Sequence, residues 1–155
     1  MVFNNNAKGP DGPHSEVWEF VPPTQQGGSY VVPEKRPFGP TEPVWKYEAP
    51  DKKSFHSGFI SGARRLSGGN TLICSGADGR IFEVTKEGKI VWEYWDPYSG
   101  QVRAADGGQP QPVGKNTYAV FRAAKIPPQH PALAGRDLHP MDPQPRPAAT
   151  ATAKE

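Results

Sequence analysis

The chain has 155 residues, and its 19 Pro and 17 Gly together exceed a fifth of them. This excess disfavours long helices, because Pro lacks an amide donor and Gly loses much backbone entropy on folding. The 18 basic and 16 acidic residues are mixed along the chain and give a net charge of +2, so no basic surface for nucleic acid is indicated. No stretch approaches the roughly 18 apolar residues of a membrane span, and no signal peptide is visible at the N-terminus.

The first half of the chain contains three short apolar segments that favour strands. They are residues 2–4, 17–20 and 44–47. Between the second and the third lies a stretch rich in Pro and Gly, residues 24–40, which predicts a long loop. We therefore expect residues 1–50 to form one sheet unit that carries an inserted loop.

The next part of the chain predicts a β-meander. Strands are expected at residues 70–75, 80–85 and 90–95. Asp78-Gly79 supplies the positive φ angles of a hairpin turn between the first two strands, and residues 86–89, with Gly88, form the second turn. In the middle strand, Phe82 should face one side and Glu83 the other.

These segments repeat. Residues 44–47 resemble residues 91–94 at an offset of 47, and residues 17–20 resemble residues 81–84 at an offset of 64. The loop at 24–40 absorbs the difference between the offsets. A repeat of about 45 residues made of short strands is typical of a β-propeller blade, and a ring needs roughly four to eight blades. The predicted fold is therefore all-β, with antiparallel meander blades of a partial β-propeller and little or no helix.

Four regions follow from this pattern. Residues 1–50 are a blade with the inserted loop 24–40, and residues 51–97 are a well-formed blade. Residues 98–138 contain a loop, a final strand at 116–123 and a C-terminal extension. The Pro- and Ala-rich residues 139–155 predict a disordered tail.

The runs at residues 59–74, 79–85 and 90–94 carry a resemblance to a known family. They resemble the late blades of bacterial arylsulfotransferase-like proteins, which are six-bladed propellers, and the resemblance extends over most of residues 1–138. It begins in the middle of a blade, so we expect Met1 to be an internal start. Relatives of this kind are typically exported, but the chain shows no targeting signal of its own.

The resemblance implies transfer of a sulfuryl group from a phenolic sulfate ester to a phenol through a sulfohistidine intermediate. His56 is the candidate nucleophile, with Phe55 and Phe59 beside it to stack a phenyl ring. A structural histidine at a blade junction is the alternative. The other three histidines lie beside prolines and are expected to be solvated loop or tail residues; they are His14, His130 and His139.

Three arginines are candidates for binding the sulfate or another anion: Arg64, Arg65 and Arg80. Arg64 and Arg65 should point to opposite faces if their segment is extended, and surface charge is the alternative for all three. Arg122 has a similar but weaker claim. Glu83 and Glu93, on neighbouring strands, are expected to be solvated.

No metal and no cofactor are expected. Cys74 is the only cysteine, which excludes an internal disulfide and a cysteine-based metal site, and its apolar strand predicts a buried thiol. The segment 106–108 resembles the start of a calcium loop, but no alternating oxygen ligands follow it.

Three functions remain open. The first is a piece of an arylsulfotransferase-like enzyme, inactive alone because several blades build a propeller site, with an aryl sulfate or phenol as its small-molecule partner. The second is a non-catalytic, quinoprotein-like propeller that serves as a binding or scaffold module. The third is a remnant without independent function, whose exposed sheet edges promote association. In each case the missing blades or self-association are needed to complete a ring.

Overall fold

A computed structural model describes residues 1–97, 101–102, 111–112 and 118–139 of the chain. Within these residues the regular structure consists of β-strands and three single turns of 3-10 helix, at Lys52–Ser54, Gly76–Asp78 and Pro131–Leu133. This confirms the all-β class. In this part of the chain, no helix has the length and apolar character needed to cross a membrane.

The first sheet has three antiparallel strands in the order β1-β2-β3. They are β1 (Val2–Gly9), β2 (Gly12–Glu19) and β3 (Trp45–Tyr47). A tight turn at Pro10-Asp11 joins β1 to β2, and Gly12 has a φ of 107°, which favours glycine. The strands are longer than the sequence predicted, because this turn continues the pairing beyond the apolar residues. Residues 20–44, which include the predicted loop 24–40, contain no strand or helix.

The second sheet has four antiparallel strands in the order β4-β5-β6-β7. They are β4 (Ser61–Arg65), β5 (Thr71–Ser75), β6 (Arg80–Val84) and β7 (Ile90–Trp95). Strands β5 to β7 are the predicted meander. Gly79, with a φ of 70°, and Gly88, with a φ of 83°, lie in its two turns as expected. Asp78 does not have the predicted positive φ, because it ends a 3-10 turn, Gly76–Asp78, that Gly79 closes. A short ladder joins β8 (Gln101–Val102) to β9 (Gln111–Pro112).

The repeat seen in the sequence is present in the register of the strands. Val17 pairs with Tyr47 in the first sheet, and Ile81, at the equivalent position, pairs with Tyr94 in the second. Phe3 pairs with Val17, as Cys74 pairs with Ile81. The pairing of residues 2–4, 16–19 and 45–47 is therefore equivalent to that of residues 73–75, 80–83 and 92–94.

The two sheets stack face to face around an aromatic core. The core residues are Val17, Trp45, Tyr47, Ala49, Phe55, Ile73, Phe82 and Val84. The rings of Tyr47, Phe55 and Phe82 lie 5.4 to 5.8 Å apart between centroids, in tilted or edge-to-face contacts. Full burial of a side chain of this size contributes about 1.5–3 kcal/mol, so this cluster is the main source of stability between the sheets.

The C-terminal part of the described chain differs from the sequence-based expectation. The strand predicted at 116–123 is not formed in residues 118–123. This segment passes beside the turn between β5 and β6, where the Val120 amide donates a single backbone hydrogen bond to the Gly76 carbonyl at 2.9 Å. Residues 116–117, most of 98–117 and the tail from 140 onward lie outside the described residues.

Candidate functional site

The linker between the two sheets, residues 55–60, is held by a β-bulge in β1. The bulge lies between Asn4 and Ala7 and turns two asparagine side chains toward the linker. Asn5 Nδ2 donates to the Ser57 carbonyl at 2.7 Å, and Asn6 Nδ2 donates to the Gly58 carbonyl at 3.1 Å. The candidate nucleophile His56 is therefore followed by two residues whose carbonyl groups are held by asparagine side chains.

His56 is half-buried, and its Nε2 atom lies 3.1 Å from Asn6 Oδ1. Because Asn6 Nδ2 already donates to Gly58, Oδ1 is the acceptor and His56 Nε2 carries the proton in this contact. A protonated nitrogen has no lone pair to attack a sulfate ester. The expected stacking platform is also incomplete: Phe55 is 1% exposed and packs in the core, which leaves only Phe59 at the surface.

Ser57, which the sequence did not single out, is the most constrained residue of the linker. Its hydroxyl accepts a hydrogen bond from the Ala77 amide at 3.0 Å and has the Phe59 and Ile60 carbonyls at 2.9 and 2.8 Å. Its amide donates to Ser15 Oγ at 2.9 Å. Since every polar group is occupied and the residue is fully buried, Ser57 stabilises the junction and is not a nucleophile.

Two of the three candidate arginines are bound to the protein itself. Arg65 forms an ion pair with Glu19 of the first sheet, donates to Thr71 Oγ1 at 2.7 Å and lies 4.5 Å above the Trp45 ring. Its guanidinium therefore joins the two sheets. These contacts use the donor fork that an anion would require.

Arg80 is bound in a similar way. Its Nε donates to Glu93 at 2.6 Å, its Nη1 donates to the Ser54 carbonyl at 3.0 Å, and its guanidinium lies 4.4 Å from the centre of the Phe82 ring. Both Arg80 and Glu93 are thus committed to structure, and Glu93 is not free as an acid or base.

Arg64 differs from its neighbour. It projects from the opposite face of β4, it is exposed, and no carboxylate partner is found for it among the described residues. It lines a groove of about 480 Å³ together with Arg122, which also lacks a carboxylate partner in this part of the structure. Phe3, Leu72 and Cys74 contribute apolar atoms to the groove.

A second groove of about 500 Å³ adjoins the first and also includes Arg64. Here Glu83 forms an ion pair with Lys125 and accepts a hydrogen bond from Asn70 at 2.8 Å. The hydrogen bond from Lys125 is the main reason that the pKa of Glu83 lies below its ordinary value. Glu83 was expected to be solvated, but it is 6% exposed and ionised in a paired site.

His14 was expected to be a solvated loop residue, and this was wrong. It lies within β2, is 5% exposed, and has its Nε2 atom 3.5 Å from Glu16 Oε1. His14, Glu16 and Glu48 offer ligand atoms within 4.8 Å of one another, as a metal centre would. The Lys46 ammonium, however, lies 2.8 Å from Glu16 and 3.1 Å from Glu48, and Lys52 supplies a second positive charge to Glu48.

The cation in this cluster is therefore a lysine. The hydrogen bond with Glu16 is the main reason that the pKa of Lys46 is raised, which keeps the ammonium charged. A metal ion would have to displace it, so the donor set does not fit a resident metal. The remaining histidines are exposed: His130 Nδ1 accepts a hydrogen bond from the Ala132 amide at 3.2 Å, and His139 Nδ1 lies 3.3 Å from Asp137.

The candidate residues thus do not form one site. His56 and Arg80 lie at the end of the sheets near Asp78, whereas Arg64 faces the groove under residues 122–124. Comparison of this chain with protein-family models, curated proteins and solved structures gave no significant match.

Proposed function

We propose that this chain is a propeller-type binding module that holds a small aromatic anion, such as an aryl sulfate, without transforming it. The observation that carries this proposal is the pair of exposed arginines, Arg64 and Arg122, that line one groove and have no carboxylate partner among the described residues. Two unpaired guanidinium groups beside apolar side chains match an anion attached to a ring.

The groove also has a suitable size and lining. Its volume of about 480 Å³ lies within the range of roughly 300–1,000 Å³ typical of small-molecule sites. Phe3 is only partly buried and lines the groove, which gives an apolar surface for a phenyl ring. The sulfate oxygens would accept hydrogen bonds from Arg64 and Arg122.

The described residues that line the groove include no activated nucleophile. Cys74 is 2% exposed, and burial raises the pKa of its thiol, so the reactive thiolate is disfavoured. The Ser61 hydroxyl, also in the lining, accepts a hydrogen bond from Asn5 at 2.9 Å, and no histidine lines the groove. Binding without chemistry is therefore the function that this geometry favours.

Sulfuryl transfer of the arylsulfotransferase-like kind is the second candidate. The observation that favours it is the proximity of His56 to the Asp78 carboxyl group. Burial raises the pKa of Asp78, and the electrostatic interaction with His56 opposes that rise. A carboxylate of this kind can orient a catalytic imidazole. In that function His56 would have to release Asn6 or react through Nδ1.

Calorimetric titration with 4-nitrophenyl sulfate tests the proposal. Arg64→Ala and Arg122→Ala should each weaken binding about 10- to 100-fold, since a hydrogen bond to a charged group contributes about 1.5–3 kcal/mol. Arg36→Ala, in the exposed loop, is the matched control and should bind like the wild type. Unchanged affinity in both groove variants would reject the proposal.

The same samples distinguish the two candidate functions. With phenol added as acceptor, the binding module releases no 4-nitrophenolate. Steady release that His56→Ala abolishes, while His56→Ala still binds the ester, would instead establish the sulfuryl transferase.

A further inference from the structure

The two sheets are equivalent units, but each uses a different face to contact the other. Val17 of the first sheet faces the second sheet and is fully buried, whereas its equivalent Ile81 faces away from the first. Conversely, Phe82 faces the first sheet, and its equivalent Trp18 faces away from the second. Equivalent faces of the two sheets therefore point in the same direction, so the sheets are stacked front to back.

This arrangement leaves two outer faces. We define the outer face of the second sheet by Ile81 and Trp92, and the outer face of the first sheet by Val2 and Trp18. Each outer face is the structural equivalent of a face that is already covered inside the molecule. The outer face of the first sheet corresponds to the covered face of the second sheet, which carries Phe82. The outer face of the second sheet corresponds to the covered face of the first sheet, which carries Val17.

Both outer faces expose large apolar side chains. Trp92 is 48% exposed, although its equivalent Trp45 is 9% exposed and its indole N–H donates to the Lys86 carbonyl at 2.7 Å. On the other outer face, Val2 is 51% exposed and Val44 is 62% exposed. Exposed apolar faces of this kind mark interaction sites.

We propose that a second copy of this chain docks its first sheet, through Val2 and Trp18, on the outer face of the second sheet at Trp92. The argument is continuity with the interface already present: the docked sheet would repeat the packing seen between the two sheets of one chain. In the repeated interface, the Pro22 carbonyl of the second copy, equivalent to that of Lys86, would accept the Trp92 indole N–H.

The described residues leave only the half of the outer face near β7 uncovered for this contact. Residues 118–125 already lie over the other half, where Val120 contacts Cys74 and Lys125 contacts Glu83. The proposed interface is heterologous, because different surfaces of the two copies meet. Each copy retains one unused outer face, so association can continue beyond the dimer.

The ligand groove involves β4 and β5, so either proposal can fail while the other holds.

Sedimentation velocity with complementary variants tests this interface. Trp92→Glu blocks the outer face of the second sheet, and Val2→Glu blocks that of the first. Val32→Glu, in the exposed loop, is the matched control. Over about 10–500 µM, a range suited to a small interface, the wild type and the control should exceed the 16.9 kDa of one chain.

Each blocked variant alone should remain at the mass of one chain, because every copy in the sample has lost the face on which the remaining outer face would dock. An equimolar mixture of the two should form dimers of twice that mass, since each variant supplies the face that the other has lost. A wild type that stays monomeric throughout would overturn the proposal. So would single variants that associate like the wild type, or a mixture no heavier than its components.

Discussion

Trp45 and Trp92 lie 47 residues apart and hold equivalent positions in the two sheets, but only Trp45 is covered. Each stacks on the tyrosine two residues later, at centroid distances of 6.4 and 6.3 Å. The local structure of the two pairs is therefore the same, and their burial differs because, within the described part of the chain, only Trp45 has a second sheet packed in front of it. This difference should be measurable.

Replacement of each tryptophan by Ala should have unequal effects on the stability of the monomer. Trp45→Ala should lower the free energy of unfolding by about 3–5 kcal/mol, because it opens a cavity in the core and leaves the Lys86 carbonyl unpaired. Trp92→Ala should lower it by about 1 kcal/mol or less, as is usual for an exposed site. Urea unfolding followed by circular dichroism at low protein concentration gives both values. Equal losses would contradict the difference in burial.

The segment 118–125 should be displaced by a methyl group at position 76. A Cβ on Gly76 would lie 2.3 Å from the Val120 carbonyl oxygen and 2.8 Å from that of Ile60, both of which are backbone atoms. Because Cys74 Sγ contacts the same Val120 carbonyl at 3.6 Å, Gly76→Ala should expose the thiol and speed its reaction with a disulfide reagent about tenfold or more.

Gly62→Ala is the control for this experiment. Gly62 lies in β4 and lines the same groove, but a Cβ there would have no neighbour within 4 Å. Its thiol reactivity should match that of the wild type. If both alanine variants react at the wild-type rate, residues 118–125 do not shield Cys74.

The register of the β5–β6–β7 meander could be predicted from the sequence because it depends on local signals. Asp78-Gly79 and Gly88 specify the turns of the meander, and the alternation in β6 specifies which face Phe82 occupies. The β1–β2 hairpin was missed, although Asp11-Gly12 is the same turn signal. The bulge after Asn4 breaks the alternation there and removes the pattern that would identify a strand.

The roles of the candidate site residues were less predictable. Alternation along a strand indicates that Arg64 and Arg65 face opposite sides, but the sequence does not show which side meets Glu19, 46 residues earlier. That contact depends on how the sheets stack. His14 was misassigned because Pro13 suggested a loop, whereas the β-hairpin accommodates the proline near its tip, opposite Lys8.

Substitution of Arg65 should therefore affect the stability of the fold, whereas substitution of Arg64 should affect ligand binding. Arg65→Ala should lower the free energy of unfolding by about 2–3 kcal/mol, because it leaves Glu19 unpaired and removes the contact with Trp45. Arg65→Lys should restore only part of this loss, since an ammonium cannot reproduce the fork. Arg64→Ala should change stability by no more than about 0.5 kcal/mol. Urea unfolding measures all three, and a larger loss for Arg64→Ala than for Arg65→Ala would reverse the assignment.

Acid should destabilise the fold through two paired carboxylates. The hydrogen bond from Lys52 is the main cause that lowers the pKa of Glu48 from 4.5 to about 2, and Lys125 lowers that of Glu83. A depressed pKa in the folded state stabilises the protein above pH 4.5, and this contribution is lost as the pH falls toward the folded pKa. Since the Glu48 side chain is 39% exposed, solvent screening limits its share to about 1 kcal/mol or less. Urea unfolding at pH 7 and pH 3 should show a smaller loss in Glu48→Gln and Glu83→Gln than in the wild type. If the loss in both variants equals that of the wild type, other groups cause the acid sensitivity.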